Sequence, residues 1–310
     1  MPYLSTHFRE KITPDGEQVY FAVSKDGLNW ESLNGGKPIL TSTQGAKGVR
    51  DIEIIRKKEG GFVILATDLC IVYRMDENYC VDWKEINHNG SKMLSFWETD
   101  DLINFSEQRR LFFGRDDFGC LWAPEIFFDE ENGEYVIHWG STIAEDGFEH
   151  MSIYYTKTKD FKSFTYPELY FTKDNEILDS HIVKVDDTYH LFYKNAHCPS
   201  MNMHETSNSL FGPFEHDERF DSIMDELGNP GSYEAATTYA LPDGRWCLML
   251  DFFGCEKDKM GYVPFVSKAL GDADFVRADE EFSFPYGFKH GRFIEITDEE
   301  YTRLVNHFGN

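Results

Sequence analysis

The chain has 310 residues, a formal net charge of −25 and 16% aromatic residues. That acidic balance excludes nucleic acid, whose phosphates need Lys and Arg contacts, and anionic membrane surfaces, while leaving a neutral ligand open. No window approaches the roughly 18 consecutive apolar residues of a membrane span.

The first strands are predicted over residues 3–8 and 19–24, the second running into Ser24-Lys-Asp-Gly-Leu-Asn-Trp30. The residues after Met1 lack the basic and apolar regions of a secretory signal, which predicts a cytoplasmic protein. A three-strand unit follows over 51–56, 61–68 and 93–99, ending on Thr99-Asp-Asp-Leu-Ile-Asn-Phe105 and interrupted by a polar, turn-rich insertion around 79–91. The unit returns over 125–129, 133–140 and 151–164, then over 179–185, 187–194 and 203–214, then over 234–240, 244–251 and 262–275. A last strand over 291–297 precedes a helix-like tail from Asp298.

Self-similarity at a period of tens of residues, with several short strands per unit, is the signature of a β-propeller. Strand, turn, strand, turn, strand is a blade meander. The expected fold is all-β, a single five-bladed β-propeller domain over 1–310. Its last inner strand lacks partners of its own and takes the N-terminal strands, so the two chain ends close the ring and leave no exposed sheet edge there. No linker or low-complexity run divides the chain. The six cysteines, Cys70, Cys80, Cys120, Cys198, Cys247 and Cys255, show no CxxC spacing and read as buried thiols of a reducing compartment. Most of the aromatic rings read as core.

Asp51, Glu125, Asp179, Glu234 and His290 open the five inner strands, at three nearly equal steps and one longer one that carries the insertion. Inner strands line the central channel of a propeller, so these side chains are expected to converge at one mouth. Carboxyls crowded on one wall repel, and burial raises the cost of ionising each. One then keeps a proton near neutrality while a neighbour stays charged. Glycoside hydrolysis needs that division: an acid for the leaving oxygen and a base for water.

The carriers of a resemblance are now in place: Val49-Arg-Asp51 followed by Ile-Glu-Ile, Trp122-Ala-Pro-Glu125, Leu178-Asp-Ser-His-Ile-Val183, Tyr233-Glu-Ala235 and Lys289-His-Gly291. In that order, over nearly the whole chain, they resemble glycoside hydrolase family 43. The resemblance implies an inverting hydrolase acting on plant-type oligosaccharides, foremost an exo-α-L-arabinofuranosidase. A β-xylosidase or other furanosidase is the near alternative, and a non-catalytic sugar-binding propeller the alternative of another class. A phosphorylase would need a cationic phosphate site, for which Arg50 and Arg292 are too few.

The resemblance assigns Asp51 as general base, Asp179 as the group that tunes and orients the acid, and Glu234 as general acid. Base and acid of an inverting enzyme stand roughly 6.5–9.5 Å apart. The chain departs from the family pattern twice, with Ile52 in place of Pro after the base and Ala235-Ala236 in place of Gly-Pro after the acid.

Substrate contacts are expected from a subsite wall of Trp122 and Glu125, and from His290, Arg50 and Arg292. Asp68 and Trp139, near the ends of their strands, are placed either at the pocket rim, in contact with substrate, or as turn caps, with Lys194 in the same class. No cofactor is required, although the resemblance allows calcium near His290. Loops at 87–91 and 145–150 are candidates for closing the pocket, and Gly228-Asn-Pro-Gly231 for shaping the approach to the acid. The partner is an oligosaccharide, and nothing in the sequence sets an oligomeric state.

Overall fold

The computed structural model describes all residues except 10, 198–200, 227–231, 254–259, 273, 286 and 310. The loop expected at 228–231, and Cys198 and Cys255, lie outside the described residues. The strands are, in chain order, β1 (Tyr3–Arg9), β2 (Tyr20–Ser24), β3 (Trp30–Ser32), β4 (Arg50–Arg56), β5 (Phe62–Thr67), β6 (Leu94–Thr99) and β7 (Arg109–Leu111). Next come β8 (Trp122–Asp129), β9 (Glu134–Ser141), β10 (Ser152–Thr158), β11 (Glu168–Phe171), β12 (Ile177–Val185), β13 (Thr188–Asn195), β14 (Met201–Ser207) and β15 (Glu215–His216). The last are β16 (Ser232–Ala240), β17 (Trp246–Phe253), β18 (Gly261–Ser267), β19 (Val276–Arg277) and β20 (Phe288–Glu295).

Four sheets result. One has eight strands in the order β3-β2-β1-β20-β4-β5-β6-β7, and three have four strands each, formed by β8–β11, β12–β15 and β16–β19. The expected pairing of the chain ends is present: β1 runs antiparallel to β20 from Tyr3↔Glu295 to Arg9↔Phe288. Strand β20 meets β4 through a parallel pair, Gly291↔Ile52. Inner strands pack on their neighbours, β4 on β8, β8 on β12, β12 on β16 and β16 on β20.

The recurring Ser/Thr-x-Asp of the sequence is a turn device. Asp101 Oδ1 accepts from the amides of Ile103 (2.9 Å) and Asn104 (2.7 Å), and Thr99 Oγ1 from Leu102 (2.9 Å). Asp26 and Asp160 do the same after Ser24 and Thr158. Such side chains replace backbone partners in a tight turn. Between sheets the core is apolar and aromatic, as where Phe96, Phe118, Tyr135, Trp139 and Phe161 meet.

Three α-helices appear among the described residues: α1 (Trp83–Asn89), α2 (Glu218–Glu226) and α3 (Asp298–Phe308). The tail is α3, started by a Thr297–Glu300 capping box and anchored by buried Leu304. The insertion expected to be only polar and turn-rich contains α1, because Asp82 caps the Glu85 amide at 3.0 Å and Ile86 is buried. Cys70, Cys120 and Cys247 are free and buried as expected, but Cys80, also free, is exposed on that insertion. Among the described residues no helix is long and apolar enough to cross a membrane.

Candidate active site

Each inner strand slips register near its start. The ladder jumps between Arg50 and Glu53 on β4, Trp122 and Glu125 on β8, Leu178 and His181 on β12, and Glu234 and Thr237 on β16. Each bulge holds one left-handed residue: Asp51 (φ 53°), Ala123 (φ 49°), Asp179 (φ 54°) and Ala235 (φ 55°). Non-glycine residues pay for that backbone, and bulges re-aim side chains beside sites. On β20 the pairing with β1 shifts between Lys289 and Arg292, enclosing His290.

Equivalent positions therefore fall in three sets. Arg50, Trp122, Leu178, Glu234 and Lys289 precede the bulge. Asp51, Ala123, Asp179, Ala235 and His290 lie in it, and Glu53, Glu125, His181, Thr237 and Arg292 follow. The single register expected for Asp51, Glu125, Asp179, Glu234 and His290 is thus corrected: Glu125 comes two residues after the bulge position and Glu234 one before it. Alanine occupies the bulge on β8 and β16, so aligning strand heads by their acidic residue displaces both.

His290 joins the bulge set. Its Nδ1 lies 3.2 Å from Asp51 Oδ1 and 4.0 Å from Asp179 Oδ1. Thr67 Oγ1 donates to Asp51 Oδ2 at 2.7 Å and accepts from the Ala123 amide at 2.8 Å. Lys194 Nζ donates to Glu234 Oε2 at 2.6 Å. Lys289 Nζ donates to Asp251 Oδ1 at 2.6 Å, and the His290 amide to Asp251 Oδ2 at 3.2 Å. Arg50 Nη1 binds Glu17 Oε1 at 2.8 Å, with its guanidinium 4.4 Å from the Phe8 ring centre.

Charge divides unevenly across this group. Burial opposes ionisation of Asp51, but the His290 charge and hydrogen bond, Arg50 and Thr67 outweigh it and bring the carboxyl down to about 2. Burial, together with the Glu234 and Asp51 charges, lifts Asp179 to about 7 in spite of His290 and Lys194. Burial also works against ionised Glu234, yet Lys194 and then Lys289 hold it below the ordinary range. His290 is raised to about 9: desolvation opposes its charge, and Asp51, Asp179 and Glu234 overcome it.

Beyond the bulge, Glu125 and Arg292 belong to a buried network. Glu125 Oε1 lies 2.8 Å from His181 Nδ1 and 3.5 Å from Arg292 Nη1, and Arg292 Nε 3.9 Å from Glu53 Oε2. Burial pushes Glu53 well above its usual range. It also opposes the Glu125 charge, but His181 and Arg292 outweigh it and bring that carboxyl to about 2.

The structure does not bring Asp68 and Trp139 to this group. Asp68 is buried and accepts from the Ala46 amide (2.7 Å), Ser91 Oγ (2.7 Å) and Arg110 Nη2 (2.5 Å). Trp139 is wholly buried, its ring 4.9 Å from Phe113 and 5.8 Å from Phe118. The partners of the pre-bulge residues Arg50, Trp122, Leu178 and Glu234 are Thr67, Gly140, Lys194 and Asp251. Asp68 and Trp139 each stand one residue off that set, and one residue on a strand turns a side chain to the other face. Lys194 is in phase. Thr67, Asp251 and Lys289 escaped the sequence reading, although Lys289 stands inside the quoted Lys289-His-Gly291. Trp122 is half-buried and edge-on to Trp83, with ring centres 6.1 Å apart.

The surroundings of His290 do not fit calcium. Six to eight oxygen ligands are needed, whereas the nearest side chain is an imidazole that is itself charged and paired with Asp51.

A family model described as a probable glycosyl hydrolase domain matches residues 1–302. A curated alpha-L-arabinofuranosidase of Bifidobacterium longum is 24% identical over 207 residues, a match spanning 60% of this chain and 19% of that protein. An endo-1,4-beta-xylanase structure from Bacteroides thetaiotaomicron aligns over 94% of this chain and 93% of its own, with TM-score 0.60 and 14% identity. The alpha-L-arabinanase of Cellvibrio cellulosa, complexed with arabinohexaose, aligns over 90% and 92%, with TM-score 0.58 and 14% identity. At such identities these structures speak to the fold. The family match runs through every inner strand that carries the mouth, and with it the chain belongs to the probable glycosyl hydrolase domains related to glycoside hydrolase family 43.

Proposed function

We propose that this protein is an inverting glycoside hydrolase of arabinose- or xylose-containing oligosaccharides, foremost an exo-α-L-arabinofuranosidase. In this reading each inner strand heads one blade of a five-bladed propeller, and β1–β3 complete the blade of β20. The observation that carries the reading is the division of protons at the mouth. His290 Nδ1, 3.2 Å from Asp51 and 4.0 Å from Asp179, favours the charged form of both; Asp51 is held ionised, while Asp179, next to the Glu234 charge, keeps its proton near neutrality.

The chemistry follows from that division. Asp51 takes a proton from a water that attacks the anomeric carbon, and the bond to the leaving oxygen breaks as Glu234 protonates that oxygen. In the free site Lys194 keeps Glu234 charged and the proton rests on Asp179. A glycosidic oxygen docked between Lys194 and Glu234 weakens that ion pair and lets the proton pass to Glu234. The name of the curated arabinofuranosidase relative supports the sugar class.

One observation favours a second reading, a sugar-binding propeller without turnover: the Lys194–Glu234 contact at 2.6 Å leaves the acid without its proton. Lys289 and His290 add further cations to the mouth, but each is paired with a carboxylate, which gives phosphorolysis no support. The test is hydrolysis of arabino- and xylo-oligosaccharides by the wild type, Asp51→Asn and Glu234→Gln, following the released anomer by NMR. The wild type should release inverted sugar, and each variant should lose at least about 100-fold in turnover. Near-wild-type rates in either variant on an unactivated oligosaccharide sink the assignment. Binding without release by the wild type selects the second reading.

A further inference from the structure

Strand β5 ends at Thr67, whose hydroxyl binds Asp51, so the segment from Asp68 to Met93 leaves the sheet at the mouth. That segment carries α1, and α1 begins with Trp83, 48% exposed and edge-on to Trp122 at 83°. Trp122 immediately precedes Ala123, whose amide is held by the same Thr67 hydroxyl. The two indoles therefore meet edge to face beside the β8 bulge, Trp122 half-buried against Leu69, Ile71 and Ile86 and Trp83 the more exposed.

Packing of α1 does not call for this tryptophan. Ile86 supplies the buried contact, against Leu69 and Ile71. The far end of α1 is tied to the second sheet by Thr142 Oγ1 donating to the Asn87 carbonyl at 2.7 Å, and by the Gly90 amide to the Gly119 carbonyl at 2.8 Å. A Cβ on Gly119 would lie 2.0 Å from the Asn87 carbonyl, so glycine alone allows that approach. The helix is fixed in place, and its exposed indole is a fixed surface. An aromatic ring held in one place offers a face on which an apolar surface can stack.

Resting on the hydrolase reading, we infer that the exposed Trp83 indole, braced edge-on by Trp122, stacks the sugar ring beyond the two flanking the cleaved bond. The ligand class is an oligosaccharide of at least three units, whose third ring lays a C–H face on the Trp83 indole. The test compares kcat and KM on a trisaccharide and a disaccharide of whichever sugar the wild type hydrolyses, for the wild type, Trp83→Ala and Trp83→Phe. In Trp83→Ala the trisaccharide-to-disaccharide ratio of kcat/KM should fall about tenfold through KM, the effect of removing one aromatic contact. Trp83→Phe should restore most of that ratio. An unchanged ratio in Trp83→Ala, with the wild type active, overturns the stacking on Trp83 and leaves the hydrolase reading standing. A wild type that hydrolyses nothing overturns both.

Discussion

Thr67 has one hydroxyl and two duties, donating to the base candidate Asp51 and accepting from the backbone of the next inner strand. Thr67→Val keeps the shape and removes both bonds. A buried group left unpaired costs about 1–3 kcal/mol, so the melting temperature should drop. Without the hydroxyl the Asp51 carboxylate is less stabilised, its pKa rises, and the acid limb of kcat/KM should move to higher pH. A variant that melts earlier but keeps its acid limb would make Thr67 a structural residue only. Lys194 acts on the other limb. Its ammonium favours the ionised forms of both Glu234 and Asp179. Removing it in Lys194→Met raises both carboxyls, so the proton needed by the acid persists to higher pH. The alkaline limb of kcat/KM, set in the wild type by the proton that Asp179 holds up to about 7, should shift upward. A limb that stays put or moves down removes Lys194 from the control of the acid.

At the scale of elements, the strands were legible because each alternates or runs apolar between turn residues. The Ser/Thr-x-Asp turns even marked where outer strands end. The bulges were not legible. A bulge adds one residue without changing composition, and on β8 and β16 the strained position holds Ala123 and Ala235, which carry no signal in a search for acids. The same offset misplaced Asp68 and Trp139, while Asp51, Asp179 and His290, which do sit in the bulge, were found with their phase correct. Helix α1 had a readable start in Asp82 followed by Glu85, but its seven residues lie in a polar stretch that resembles loop. Contacts such as Thr67 to Asp51 join residues on neighbouring strands, and only the pairing register reveals them.

At the scale of the molecule, the two chain ends meet at Gly291. It pairs in parallel with Ile52 on β4, sits on β20 against β1, and exchanges hydrogen bonds with the Tyr262 hydroxyl at 2.8 and 2.9 Å. A Cβ there would stand 1.8 Å from the Thr6 carbonyl oxygen, a backbone atom that cannot swing aside. Gly291→Ala must push β20 away from β1 or from β4. Overpacking of this kind costs on the order of 3 kcal/mol, which for a chain of this size is roughly 5 °C or more in melting temperature. His290 is the adjacent residue, so its contact with Asp51 should loosen and hydrolysis should weaken along with stability. Gly271→Ala is the control, because its Cβ would meet only His190 Cε1, at an ordinary 3.4 Å. If Gly291→Ala melts within a degree of Gly271→Ala, the seam between the chain ends does not hold the molecule together. A large drop in a single cooperative transition, with Gly271→Ala unaffected, is what a β20 that joins β1 to β4 requires.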